Sequence, residues 1–413
     1  MNLREAEEHL LGLELFGMRF GLDRMHRLMT ALGMPQRRFA SVHVVGTNGK
    51  SSTVRFLAAI LRRHGLSTGS YTSPHLGSFR ERIEIDEQPL EPGELGAAVT
   101  RAAHAAELVE RTLDGDDRVT QFEVLTAAAY HELARRGVDV AVVEAGLGGR
   151  YDATNVIPSR VQVLTGVGLE HTRWLGPTVR DIAEEKLAVV RDHSTLVAGA
   201  LGPDARAAAE RVAAQRHARL VFASGEAPSA LGALGSFQRQ NFSVAAAAAE
   251  AFLGRPLDLE AVARAGAETR IAGRLEVVGE SPLTVIDGAH NPPGARALAE
   301  ALPEVVGDRR PRVGVLSILE DKDAAGMLSA LLPAFDCLVL TRCANPRALS
   351  PGTLASLVGQ LDGPEAETVA EPRRALERAR ELAGSGGAVT ATGSIYLVGD
   401  LVRQDDAARA STL

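Results

Sequence analysis

The sequence predicts an α/β protein: an N-terminal P-loop ATPase domain with a mostly parallel sheet over residues 1–272, then a smaller Rossmann-like α/β domain over 273–413. Three observations predict it. Short β-branched runs alternate with Ala- and Leu-rich helical patterns, as in parallel sheets flanked by helices. A glycine-rich turn at 46–49 joins an apolar run to a helical one. A second alternating series then begins near Leu283.

In chain order, "SVHVVG" (41–46) reads as a buried strand, and the helix after it runs from about Lys50 to His64 with Gly65 as its cap. Further strands are expected at 138–146, 160–168, 194–199 and 219–224, with a long helix over 119–137 before the first of them. "SVAAAAAEAFL" (243–253) reads as helix because alanine has the highest helix propensity. The domain boundary is expected near Ala272, where Gly273 breaks a helix. In the second series, strands at 283–287, 312–319, 337–342 and 388–394 are separated by helices at 292–302, 350–361 and 371–384. No internal repeat occurs.

Composition narrows the function. Of the 413 residues, 45% are hydrophobic and 23% charged, as in ordinary globular proteins. A net charge of -7 gives no electrostatic case for nucleic-acid binding. No run approaches the roughly 18 apolar residues of a membrane span, and the N-terminal segment lacks the apolar stretch of a signal peptide. Cys337 and Cys343 form neither a disulfide framework nor a zinc spacing, so a reducing cytoplasm is the expected setting.

The chemistry begins in "VVGTNGKSSTV". In Gly46-Thr47-Asn48-Gly49-Lys50-Ser51-Ser52, the glycines let backbone N–H groups close around phosphate oxygens, and the helix N-terminus adds partial positive charge. Lys50 is placed to reach the β and γ phosphates, and Ser51 or Ser52 to supply a hydroxyl to Mg²⁺. Val44 replaces the first glycine of the eight-residue phosphate-loop pattern. Glu144 ends the apolar run "VDVAVVE", where open α/β sheets place their ligands. In "GLGGRYDATN", Arg150, Asp152 and Asn155 bind substrate or satisfy the turn.

Taken together, "HVVGTNGKSS", "YTSPHLGSFRERI", "TQFEVLTAAAY", "EAGLGGRYDATN", "GLEHTRWLGPTVRDIAEEK", "SFQRQN", "GRLEVV", "VIDGAHNPPGARAL" and "TGSIYLVGD" resemble, in content and order, the dihydrofolate synthase/folylpolyglutamate synthase family of the Mur ligase superfamily. The resemblance runs from about Gly21 to Val402. It implies that ATP phosphorylates the carboxylate of dihydropteroate or of a folate, and that the amino group of L-glutamate displaces the phosphate. It further implies ATP and two Mg²⁺ ions as cofactors, small-molecule substrates only, and a monomer.

Position by position, the resemblance gives Lys50 and its loop the β and γ phosphates. Ser73 and Glu144 match ligands of one magnesium ion, and His171 matches a ligand of the second. Lys186 matches a lysine carbamylated by CO₂, a change that would turn a cation into an anion suited to Mg²⁺. Asn241, Arg274, Asp287 and His290 match residues around the nucleotide, and closure of two domains would complete that site. Phe122 and the loop 73–82, including Arg82, resemble the pterin side of the acceptor pocket. Asp152 and Ser394 are further substrate candidates, Ser394 near glutamate. Residue by residue, plainer readings stand beside these. Ser73 before Pro74 can start a turn, His171 can be a core histidine, and Arg274 a salt-bridge partner. Asp287, His290 and Asn291 can form a helix-capping turn, and Phe122 can be core. The chain departs from the family at Ser51 (commonly Gly), Glu170 (usually Asp) and "LAV" after Lys186.

Overall fold

The computed structural model describes residues 1–13, 21–225, 227, 228 and 230–403. Residues 404–413 of the expected second domain lie outside these, as do residues 14–20 of the N-terminal segment. The described residues divide into two compact units, one within 1–231 and 239–269, the other of 232–238 and 270–403.

The first unit holds an eight-stranded sheet. Its strands are β1 (Ala40–Val45), β2 (Thr68–Tyr71), β3 (Ile83–Ile85), β4 (Gln88–Pro89), β5 (Val140–Glu144), β6 (Val161–Leu164), β7 (Thr195–Ala198) and β8 (Arg219–Phe222). Their order is β4-β3-β2-β5-β1-β6-β7-β8. The six strands from β2 to β8 run parallel, and β3 and β4 add an antiparallel edge. β1 and β5 are the buried centre: Val42, Val44, Val45 and Val140 to Val143 are fully buried. Such two-sided burial is why these strands are apolar runs rather than alternating ones. One apolar cluster, including Leu95, Val99, Leu125 and Leu133, packs helices Pro92–Glu110 and Gln121–Arg136 on one side. Another gathers Leu164, Ala183, Leu187, Leu196 and Ala205.

The second unit holds β9 (Glu276–Glu280), β10 (Leu283–Ile286), β11 (Arg312–Leu316), β12 (Cys337–Leu340), β13 (Ala366–Thr368) and β14 (Ala388–Thr392). Their order is β13-β12-β11-β14-β10-β9, parallel except for the edge strand β9. β14 therefore lies between β10 and β11.

Expected strands are found but end sooner. The run 138–146 pairs only as Val140–Glu144, and 160–168 only as Val161–Leu164. Their last residues leave the sheet to build loops. The helix after β1 spans Lys50–Arg63, so His64 is its C-cap and Gly65 (φ 91°) follows, not the cap itself. Gly273 lies beyond the helix Leu259–Glu268 rather than within one. Among the described residues, no helix is long and apolar enough to cross a membrane.

Candidate active site

The phosphate loop hangs from the carboxyl end of β1. Gly46 has φ 153°, and a Cβ there would stand 1.9 Å from Thr165 Oγ1. Gly49 is left-handed at φ 81°, and a Cβ there would stand 2.2 Å from Asn241 Oδ1. Both positions therefore need glycine on conformation and on space. The segment past β6 braces the loop. Thr165 Oγ1 donates to Asn48 O at 2.6 Å, Thr47 N donates to Gly166 O at 2.9 Å, and Gly168 N donates to Thr47 Oγ1 at 3.0 Å. Residues 165–168 are therefore engaged with the loop rather than paired as strand. Lys50 folds back over the loop and donates to Gly46 O and Thr47 O, each at 3.1 Å. Asn241, read from "QRQN", lies against Gly49 of the phosphate loop.

Glu144, the last residue of β5, is 2% exposed. Its Oε1 accepts from Ser51 Oγ at 3.0 Å and its Oε2 from Ser73 N at 3.2 Å. Helix phase separates the neighbouring serines: Ser51 meets the Glu144 carboxylate, while Ser52 is buried. Among the described residues, no group of three or more His, Cys, Asp or Glu side chains could hold a metal. One buried carboxylate with hydroxyls beside a phosphate loop nevertheless fits Mg²⁺, which is bound through one or two carboxylates plus substrate phosphate and water.

Lys186, on the helix Val179–Leu187, is 2% exposed. Its Nζ donates to Glu170 Oε1 at 2.6 Å and to Gly46 O at 2.9 Å. Lys50 and Lys186 therefore share the Gly46 carbonyl as acceptor, with one carboxylate beside them. Burial on its own pushes the Glu170 carboxyl up, but the charges of Lys186 and Lys50 prevail and hold it at about 2. Burial lowers the Lys186 pKa; Glu170 opposes that and Lys50 adds to it. His171 follows Glu170 directly, in a left-handed conformation (φ 45°) at the N-cap of the short helix Thr172–Leu175. The sequence marked Glu170 as a departure, but only the fold shows that it reaches Lys186.

The acceptor-side candidates divide. Phe122 is half-buried at the start of its helix, its ring 6.1 Å from that of Tyr71, and a Cβ on Gly146 would stand 2.7 Å from its Cζ. Arg82 is buried; its Nε donates to His75 Nδ1 at 2.9 Å and its guanidinium lies 5.1 Å from the Phe79 ring centroid. Glu81, which sequence reasoning passed over, organises the 73–82 loop by accepting from the backbone N–H of Leu76, Gly77 and Ser78 at 2.8–2.9 Å. Asp152 is turned inward. It accepts from Leu147 N at 2.8 Å, from Thr154 N at 3.0 Å and from the Thr154 hydroxyl, so its carboxylate shapes the loop. Burial raises its pKa against those donors. Gly149 lets that loop pass close to the lysine-bearing helix, since a Cβ there would stand 2.7 Å from Lys186 O.

In the second unit, Asp287 follows β10. It accepts from Leu275 N at 2.8 Å and Ala289 N at 2.7 Å; burial raises its pKa, and the charge of Arg274 opposes this. Arg274 Nη1 would meet a Cβ on Gly288 at 3.0 Å. His290 Nδ1 lies 2.8 Å from Gly288 O. Asn291 caps the helix Pro292–Val306 by accepting from Gly294 N at 2.8 Å, the plainer reading of that residue. Ser394 likewise caps Ile395–Val402, accepting from Tyr396 N at 3.1 Å.

Comparison with known proteins decides the family. The chain is 37% identical over 392 residues to the dihydrofolate synthase/folylpolyglutamate synthase of Mycobacterium tuberculosis, covering 86% of this chain and 80% of that one. The chain belongs to the dihydrofolate synthase/folylpolyglutamate synthase family. The Bacillus subtilis family member is 32% identical over 96% of this chain and 98% of its own. Residues 273–395 match the Mur ligase, glutamate ligase domain. A crystal structure of Mycobacterium tuberculosis folylpolyglutamate synthase complexed with ADP and AMPPCP superposes with a TM-score of 0.90 at 34% identity, covering 97% of this chain and 98% of that one. E. coli FolC, solved with DHPP and ADP, superposes at 0.85 with 28% identity, covering 97% and 96%. The α/β architecture of two mostly parallel sheets expected from sequence is the one this family has.

Proposed function

We propose that the protein joins L-glutamate to dihydropteroate, to the glutamate tail of folates, or to both, using ATP and releasing ADP and phosphate. The observation that carries this reading is the junction of phosphate loop and buried acid: Gly46–Ser52 closed by Asn241 and Thr165, with Glu144 bonded to Ser51 at its mouth. Family membership supplies the acceptor and amine.

A free carboxylate is a poor electrophile. Its oxygen attacks the γ phosphorus of ATP and ADP departs, leaving an acyl phosphate. The glutamate amine then attacks the acyl carbon, loses a proton, and expels phosphate as the amide forms. Lys50 neutralises the β and γ oxygens during the first transfer, and the loop N–H groups hold them in place. Ser51, Ser73 and Glu144 would hold one Mg²⁺ and His171 a second. When bound, magnesium spreads the charge of the transferring phosphoryl group. The buried Lys186 amine suits carbamate formation, which consumes the neutral amine; a carbamate beside Glu170 is an anionic pair that a divalent cation balances. Asn241, Arg274, Asp287 and His290 belong to nucleotide binding, Phe122 and Arg82 to the acceptor side, and Ser394 to glutamate. Asp152 serves the acceptor through the shape of its loop. The protein acts as a cytoplasmic monomer, a setting that suits its two free cysteines.

The test is mass spectrometry of products from ATP, Mg²⁺ and isotopically labelled glutamate with dihydropteroate or a monoglutamyl folate. The expected product carries one or more labelled glutamates with matching ADP release. ATP turnover with no glutamylated product from either acceptor would overturn the reading.

A further inference from the structure

His43 lies in the middle of β1, level with Val143 of β5 and Gln162 of β6, and is wholly buried. An imidazole among valines at the centre of a sheet needs a reason, because buried polar groups cost stability unless bonded. Its Nε2 stands 2.8 Å from Thr154 Oγ1, and that hydroxyl also bonds Asp152 Oδ1. The protons can be assigned. Asp152 takes backbone N–H groups from Leu147, Thr154 and Gly146, so it is the acceptor of the set. The Thr154 hydroxyl therefore gives its single proton to Asp152 and must accept from His43, whose Nε2 carries the hydrogen. His43 Nδ1 is then a bare nitrogen with no partner among the described residues.

The relay joins two parts of the site. β1, which carries His43, continues into Gly46, whose carbonyl receives Lys50 and Lys186. The far end of the relay fixes Gly146 and Leu147, just past Glu144, and Gly146 lies against Phe122. We propose that His43 is a positioning residue for ligation: through Thr154 and Asp152 it holds the 146–155 loop in the shape that seats the acceptor acid. The proposal rests on the ligase reading above and adds a residue which that reading leaves idle.

Three variants test it by steady-state kinetics and hydrogen exchange. His43→Leu keeps the bulk and loses the donor, His43→Gln returns an N–H near the position of Nε2, and Thr154→Val cuts the next link. His43→Leu and Thr154→Val should each raise KM for the acceptor acid by about fivefold or more while KM for ATP stays within about twofold. The double variant should be no worse than either single one, and His43→Gln should restore wild-type behaviour. Amides of 146–155 should lose about tenfold or more of their protection in His43→Leu, with the helix Lys50–Arg63 unaffected. Unchanged acceptor KM and unchanged loop protection would overturn the proposal. So would a rise in both KM values with protection lost throughout, which marks a merely structural histidine. Should His43→Leu not fold, Thr154→Val carries the comparison. A wild-type chain without ligase activity would sink the function reading instead, and loop exchange would still decide the relay.

Discussion

Glu170 and Lys186 carry the sharpest consequences at the scale of single residues. The Glu170 carboxyl is held at about 2 in the fold against an ordinary 4.5. A depressed carboxyl adds stability that is fully present above the unfolded value and is lost as pH falls through the folded one. In protein freed of CO₂, where Lys186 is the ammonium, the stability difference between wild type and Glu170→Gln should therefore be largest above pH 4.5 and shrink towards pH 2, as read by denaturant melts across that range. Lys186→Ala should abolish ligation and regain part of it with added small carboxylates, since the proposed role is that of an anion; wild-type turnover in the variant would show the lysine idle. Much of the site was legible at this scale because its chemistry is rare in its setting. Packing alone gives no reason for a lysine directly after a glycine turn or for an acid closing an apolar run. What stayed illegible depends on direction. Ser51 and Ser52 differ only in helix phase, and Asp152 offers the same carboxylate whether it faces substrate or, as found, its own loop. His43 looked like one more residue of a buried strand.

Among elements, the phosphate loop depends on two glycines with no room for a side chain. Gly49→Ala combines left-handed strain with a clash on Asn241. It should raise KM for ATP by about tenfold or more, with a stability loss of about 1–2 kcal/mol from the left-handed backbone; a fluorescent nucleotide titration and a denaturant melt separate the two effects. The helix Gln121–Arg136 starts on a capping box of Thr120 and Glu123. Thr120→Ala should cost about 1 kcal/mol in thermal unfolding. The buried parallel strands were readable as apolar runs. β2 ("TGSY"), the β3–β4 hairpin and β9 were not, because they are short or polar, and β2 moreover owes its place to the sequence-distant β5. β9 even exposes Val277 and Val278, so its valines gave no core signal.

For the whole molecule, each unit has its own core, and the nucleotide loop belongs to the first. A non-hydrolysable ATP analogue at about 100 times its Kd should add about 2.7 kcal/mol to the state that binds it. Differential scanning fluorimetry at one analogue concentration should show that shift in wild type and at most about half of it in Gly49→Ala. The division of the chain was visible as two series of alternating strands and helices. The short return of 232–238 to the second unit was not, since a contact between Gly235 and Leu275 leaves no periodic trace.

The place of β14 has a consequence for the making of the protein. It is the last strand in sequence among the described residues, yet it is the parallel bridge between β10 and β11, which do not pair with each other. While the chain emerges from the ribosome, β10 and β11 are both present for some seventy residues of synthesis without the strand that joins them. A chain stopped at residue 387 would carry most of the second unit's apolar side chains and still have a split sheet. Late nonsense changes should therefore destroy this unit as thoroughly as early ones.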